Sequence, residues 1–372
     1  MAEPRVVVVV GGGYAGATIA TSLDAVADVT LVEPKDSFVH ATGALRAAVD
    51  VTWEDRVFFP YDHLLTRGRV VHEYAQAVTS TQVRVSGGRV VDADYLVLAT
   101  GTAYPFPAKF IESDVLVAKA RLARLRESLR EARSVMIVGA GPVGLELAGE
   151  LSSAFPAIDL VIVDQAEDAL TTGDYLPALR SAIRSQLDAR GVSFALGSPL
   201  GYLPPVDVGV FAPFTVHTRA GRRIDADLWF RCYGNQPVTD YLVGDLAGAR
   251  LPDGRVAVAP TLNVRGFPTV FAIGDITDVP ESKRASAAIA HAHVAAANIR
   301  ALIEGGEPVT VHEPAAELVV LPLGPDGGAS QLLGPDGTRH VLGASETSAM
   351  KGADLYSTAM AELFGAVPRA GG

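Results

Sequence analysis

The strongest constraint on how this chain can fold is a pattern it carries twice. "VVVVVGGGYAGATIATSL" at residues 6–23 and "VMIVGAGPVGLELAGEL" at 135–151 share one order: an apolar strand, Gly-x-Gly-x-x-Gly, then an Ala/Leu-rich helix. Each is followed by a second strand ending in an acid, Glu33 after "DVTLV" and Asp164 after "DLVIV". Each copy then closes on a strand and a glycine, "YLVLATG" at Gly101 and "LWFRCYG" at Gly234. From first fingerprint glycine to closing glycine the span is 90 residues in one copy and 95 in the other. Two copies of one nucleotide-binding architecture are therefore expected.

The chemistry explains the spacing. The first glycine permits a tight turn, the second lets the backbone approach a pyrophosphate, and the third lets the helix pack close to the strand. Phosphates then lie at a helix N-terminus, where free amides and the helix dipole favour negative charge. A carboxylate at the end of the next strand can accept from a ribose hydroxyl, and Glu33 follows the second glycine by 20 residues. A lone fingerprint is weak evidence; two, each with its strand, helix and acid, predict dinucleotide binding.

Composition narrows the rest. A chain of 372 residues suggests two or three domains. Its formal net charge of −11 argues against nucleic acid and against adsorption to anionic lipid, leaving small molecules as partners. No apolar run approaches the roughly 18 to 20 residues of a membrane span, and the N-terminus enters a strand too soon for a secretory signal. A cytoplasmic protein is expected, with a peripheral place at the inner face of the membrane left open. Its only cysteine, Cys232, cannot form an internal disulfide and is expected to be a buried small hydrophobe. The basic stretch "KARLARLRESLREARS" alternates with acids and reads as a solvated helix face. The histidines lack ligand spacing, His291 and His293 pointing to different faces of a helix, so no metal site is expected.

After Gly234, a strand at 270–273 runs into Gly274-Asp275, and a long Ala-rich helix follows at about 284–303. If the first unit is interrupted after Gly101 and completed here, the second is an inserted domain. The expected fold is α/β: two Rossmann-like dinucleotide-binding domains, one inserted in the other, plus a small C-terminal α+β domain. The boundaries fall at 1–107 with 236–305, 108–235 and 306–372. The last of these carries short apolar runs between Pro-Asp-Gly turns, a hairpin pattern. It ends in an amphipathic segment with Tyr356, Met360, Leu363 and Phe364 near one face. Three uses stay open for that segment: a dimer contact, a membrane surface or the core.

These residues resemble the two-dinucleotide flavoprotein superfamily through "GGGYAG" with Glu33, "LATG", "GAGPVGLELA" and "FAIGD". More closely, "EPKDSFVHATGALRAAV", "ATGTAYPFPAKF" and "ETSAMKG" resemble the ferroptosis-suppressor branch of apoptosis-inducing-factor-like flavoproteins, which are FAD-dependent NAD(P)H:quinone reductases. The resemblance covers almost the whole chain. It implies FAD in the first unit, with the pyrophosphate over Gly11, Gly13, Ala15 and Gly16 and the ribose on Glu33. The ribityl chain would lie near Asp275, with the N-terminus of the following helix aimed at the flavin. Val78, Thr100 and Gly101 belong to this FAD set, and Lys35 and Arg46 would supply donors. NADH would occupy Gly139, Gly141, Pro142, Gly144, Asp164 and Gly234. Glu146 is implied near the nicotinamide, Lys351 at the flavin and acceptor quinone, and Lys283 as a weaker catalytic candidate. Animal members of the branch begin Met-Gly and are lipidated on that glycine; here Ala2 takes its place, and lipidation there is not expected.

Asp164 faces the 2′-phosphate of NADPH with no arginine in "DQAED" to neutralise it, so NADH is the expected donor. The leading functional expectation is electron transfer from NADH through FAD to a quinone. A reductase feeding an iron–sulfur carrier and an NADH-sensing signalling flavoprotein remain the alternatives.

Overall fold

The computed structural model describes residues 4–366; the reading of Ala2 lies outside them. The first parallel sheet runs in the order Val270–Ala272, Tyr95–Leu98, Val6–Val10, Asp28–Val32, Arg69–Val71. The second runs Ser193–Ala195, Asp159–Val163, Ser134–Val138, Leu228–Arg231. All its strands lie, in sequence, between Tyr95–Leu98 and Val270–Ala272, which pair in parallel in the first sheet. The second unit is thus inserted in the first. Val7, Val8 and Val9 have no solvent exposure, as expected of a β-branched run covered on both faces.

Helices α1 (Tyr14–Leu23) and α2 (Ala41–Val49) belong to the first unit. The basic stretch forms α3 (Val115–Glu131), capped by the Asp114 carboxylate, which accepts from the amides of Leu116 and Val117. Its face is less solvated than the charge pattern suggests: Arg126 is buried, donating to the Ala47 carbonyl at 2.7 Å and pairing with Glu54. The sequence pattern missed this because Arg126 takes its partners from a different element. Helices α4 (Pro142–Ala154) and α5 (Pro177–Ala189) serve the second unit, and α6 (Ala285–Ile303) packs along α1 through small side chains.

The C-terminal region forms an antiparallel sheet of Val319–Pro322, Gly328–Leu333 and Arg339–Leu342, with the expected Pro-Asp-Gly turns between strands. Next come α7 (Ala344–Thr347) and a π-helical turn over Ser348–Gly352. Leu355 and Tyr356 both adopt positive φ, 50° and 62°, before α8 (Ser357–Leu363). Met360 and Phe364 are buried in the first unit's core, Phe364 stacking on Phe38 at a centroid distance of 4.7 Å. Tyr356 departs from the expected apolar face: it is 45% exposed. The core is thus a use of Met360 and Phe364.

Candidate functional site: two nucleotide cradles and a shared ion pair

Both fingerprint turns follow the same steric logic. A Cβ on Gly11 would stand 2.6 Å from the Ala99 carbonyl oxygen, and one on Gly139 2.5 Å from that of Cys232. At the third glycines the crowding is worse: Gly16 and Gly144 would place a Cβ 1.8 and 2.0 Å from the carbonyl oxygens of Gly11 and Gly139. The middle glycines differ. Nothing lies within 4 Å of a Cβ on Gly13 or Gly141, so each opens onto free space at the start of its helix. That space, beside unsatisfied helix N-terminal amides, suits a pyrophosphate.

The acids match as closely. Glu33 accepts from the amides of Gly12 at 2.7 Å and Lys35 at 3.0 Å. Asp164 accepts from those of Ala140 at 2.6 Å and Ala166 at 2.8 Å. Each carboxylate is oriented by its own turn and retains lone pairs for a ribose.

A cavity of about 440 Å³ extends over the first turn. Gly11, Gly13, Ala15, Glu33, Lys35, Thr100, Gly101 and Asp275 line it as expected. Asp275 accepts from the Thr102 hydroxyl at 3.1 Å and faces the Lys109 ammonium at 3.6 Å. Lys109 also donates to the Thr102 carbonyl at 2.7 Å, and burial, opposed by Asp275, draws its pKa below the ordinary lysine value. Lys109 was not anticipated, though it lies in the quoted run "AYPFPAKF". Tyr61 and Tyr241 also line the cavity, Tyr61 donating to the Gly12 carbonyl at 2.8 Å and Tyr241 meeting the Thr100 hydroxyl at 2.9 Å. Only the fold brings these tyrosines to the site.

Three expectations need correction. Val78 is fully buried, its backbone paired with Tyr241 and Val243; Ala75, three residues earlier, lines the cavity instead. Arg46 does not reach the cavity: its guanidinium grips Glu150 at 2.8–3.1 Å and the Gly352 carbonyl. Lys283 donates to the carbonyls of Thr277 at 3.0 Å and Val279 at 2.9 Å, bracing the loop after Asp275; burial lowers its pKa. Asp275 sits in a 3-10 turn, Gly274–Ile276, and α6 begins at Ala285, with Ala288 of its first turn lining the same cavity as Asp275.

Lys351 and Glu146, distant in sequence, meet at 2.8 Å, the ammonium also reaching the Val320 carbonyl at 3.2 Å. The pair is largely shielded and joins α4 of the second unit to the C-terminal π turn.

Two histidines are defined by their partners. His40 Nε2 donates to the Leu355 carbonyl at 2.7 Å, leaving Nδ1 to accept from the Tyr14 hydroxyl at 2.9 Å. Burial pushes its pKa down to about 4. The Gly274 amide donates to His291 Nδ1 at 3.0 Å, so His291 Nε2 carries the proton and donates to Glu281 at 2.6 Å. Burial likewise brings His291 to about 4, and His312 meets the same Glu281 oxygen at 3.0 Å. Sequence spacing did not reveal this Glu281–His291–His312 cluster, because its members come from three separate segments. Its hydrogen bonds account for the protons of His291, and its link to Gly274 braces the turn bearing Asp275.

A parallel sheet with one dinucleotide cradle, interrupted by a second such sheet, defines a protein with two dinucleotide-binding units. The sequence profile of the pyridine nucleotide-disulphide oxidoreductases matches residues 5–298, and the chain belongs to that family. It is an oxidoreductase with FAD and NADH as cofactors. It is 29% identical over 337 residues to human ferroptosis suppressor protein 1, covering 88% of each chain. To apoptosis-inducing factor homolog B of Dictyostelium discoideum it is 27% identical, covering 95% of each. Among solved structures, the sulfide:quinone oxidoreductase of Aquifex aeolicus superposes with a TM-score of 0.73 at 15% identity, over 97% of this chain and 92% of that one. Among the described residues, Cys232 is the free cysteine, and it is buried.

Proposed function

We propose that the chain passes reducing equivalents from NADH through FAD to a quinone. The observation that carries this reading is the Lys351–Glu146 pair, held at the junction of the NADH unit and the C-terminal segment. Bound FAD supplies the chemistry that accepts a hydride from NADH and passes electrons onward. The chain's own residues do the rest. Glu33 and the Gly11–Gly16 turn would hold the FAD adenosine and pyrophosphate, Asp275 with its neighbour Lys109 would hold the ribityl chain, and Asp164 with the Gly139–Gly144 turn would hold NADH; the cavity lining and the carboxylates held by their own turns support this. The Lys351 ammonium can stabilise negative charge developing on a quinone oxygen. With one buried cysteine, no protein dithiol stands between cofactor and acceptor, which favours a small acceptor.

Anaerobic reduction of the yellow protein by NADH, followed by mixing with a graded series of quinones, tests the reading. Rapid quinone-dependent return of flavin absorbance is expected. Reoxidation by a ferredoxin but by no quinone would instead support the iron–sulfur alternative. Peripheral membrane contact and homodimer formation are further proposals: vesicle flotation and solution mass report on them. No described helix is long and apolar enough to cross a membrane.

A further inference from the structure

We infer that Arg46 is a positioning residue: with Glu150 it forms a buried clamp that sets the Lys351–Glu146 pair, joining the two nucleotide units and the C-terminal segment. The inference rests on the role proposed above for that pair.

Arg46 lies on α2, Glu150 on α4 and Gly352 in the π-helical turn. The guanidinium is 5% exposed and the carboxylate 6%. Nε and Nη2 form a fork on Glu150, Nε at 2.9 and 3.1 Å and Nη2 at 2.8 Å, while Nη1 donates to the Gly352 carbonyl at 2.5 Å. The guanidinium also packs 4.8 Å from the Trp53 ring centre. One planar group therefore ties three segments in a single orientation, which a lysine's point charge cannot do.

The clamp is aligned with the pair it would control. Glu146 precedes Glu150 by one helical turn on α4, so both carboxylates lie on one face. Lys351 immediately precedes Gly352, whose carbonyl Arg46 holds. Arg46–Glu150 and Lys351–Glu146 are thus neighbouring rungs between the same helix and the same turn. Burial raises the Glu150 pKa, opposed chiefly by Arg46 and also by Arg190. The π turn that carries Lys351 is thus held at two successive residues, Lys351 by Glu146 and the Val320 carbonyl and Gly352 by Arg46.

Because the ion pair is buried, replacing both partners by methionine restores packing without leaving an orphan charge. The test is a cycle among four holoenzymes: unsubstituted, Arg46→Met/Glu150→Met, Lys351→Met, and all three substitutions together. The readouts are flavin content, thermal midpoint, and kcat and KM with NADH and a soluble quinone. The double variant is expected to keep its flavin and its midpoint within a few degrees, yet lose about tenfold in kcat with little change in the KM for NADH. Adding it to Lys351→Met should cost nothing further, because the clamp acts through Lys351. Multiplicative losses would overturn the inference while leaving the role of Lys351 intact. Full activity in Lys351→Met would overturn both. Arg46→Lys, which can serve Glu150 or Gly352 but not both, should fall between the parent and the double variant; parental kcat there would also count against the clamp.

Discussion

Gly13 and Gly16 sit three residues apart on one turn and meet opposite demands, as do Gly141 and Gly144. The backbone at Gly141 has φ −79°, open to any L-residue, and nothing stands where its Cβ would go. Gly141→Ala should therefore leave the thermal midpoint almost unchanged while the KM for NADH rises at least about tenfold, because the methyl group occupies the phosphate's approach. Gly144→Ala pushes against its own turn and should lower stability by about 1–3 kcal/mol, read from a denaturant midpoint. Beside that turn, Asp164 is held by two amides and cannot swing away from a 2′-phosphate. A charge-assisted hydrogen bond to ribose contributes about 1.5–3 kcal/mol, a preference of roughly ten- to hundredfold for NADH over NADPH. Asp164→Ala should collapse the ratio of kcat/KM for the two donors toward unity; an unchanged ratio would remove Asp164 from that role.

Among elements, α8 is the one whose pattern was readable and whose use was not. Its apolar spacing suits a membrane surface, a partner helix or a core equally well. The aromatic cluster of Phe38, Phe59 and Tyr61 receives Phe364 and so gives that side chain to the core. Phe364→Ala should cost on the order of 3–5 kcal/mol, measured by chemical denaturation. The same distinction explains α3 and α6. Their helical character was plain from the chain, but Arg126 draws its partners from the segment around α2, and the contact of Ala288 in the first turn of α6 with the turn bearing Asp275 comes from the fold. Charge alternation and residue order describe a helix without stating what lies beside it.

On the scale of the whole molecule, two buried neutral histidines, His40 and His291, tie distant segments together. Each has a folded-state pKa near 4 against an unfolded value of 6.5. Above pH 6.5 both are neutral whether folded or not, and their contribution to stability is fully present. As the pH falls toward 4, the unfolded chain binds protons that the native state refuses, and stability is lost. Each should contribute a slope of about 1.4 kcal/mol per pH unit in that window. Denaturant midpoints collected from pH 7 to pH 4 should show this fall, and His40→Gln should flatten it by about one proton's worth. An unaltered slope in that variant would mean that His40 titrates normally in the fold.

Sequence by itself determined the duplicated sheets, the insertion of one unit in the other, both phosphate turns and the acids beside them. These depend on local geometry: a tight turn needs glycine, a buried parallel strand needs a β-branched run, and a strand of given length sets where its terminal carboxylate lies. Only the tertiary structure decided that Ala75 rather than Val78 lines the cavity, that Lys109 faces Asp275, and that Glu281, His291 and His312 form one cluster. It alone turned Arg46 from a cofactor contact into a buried partner of Glu150. A buried charge must find its counterion in three dimensions. Nothing in the residues flanking Arg46 says that Glu150, on a helix of the other unit, will be the one it meets.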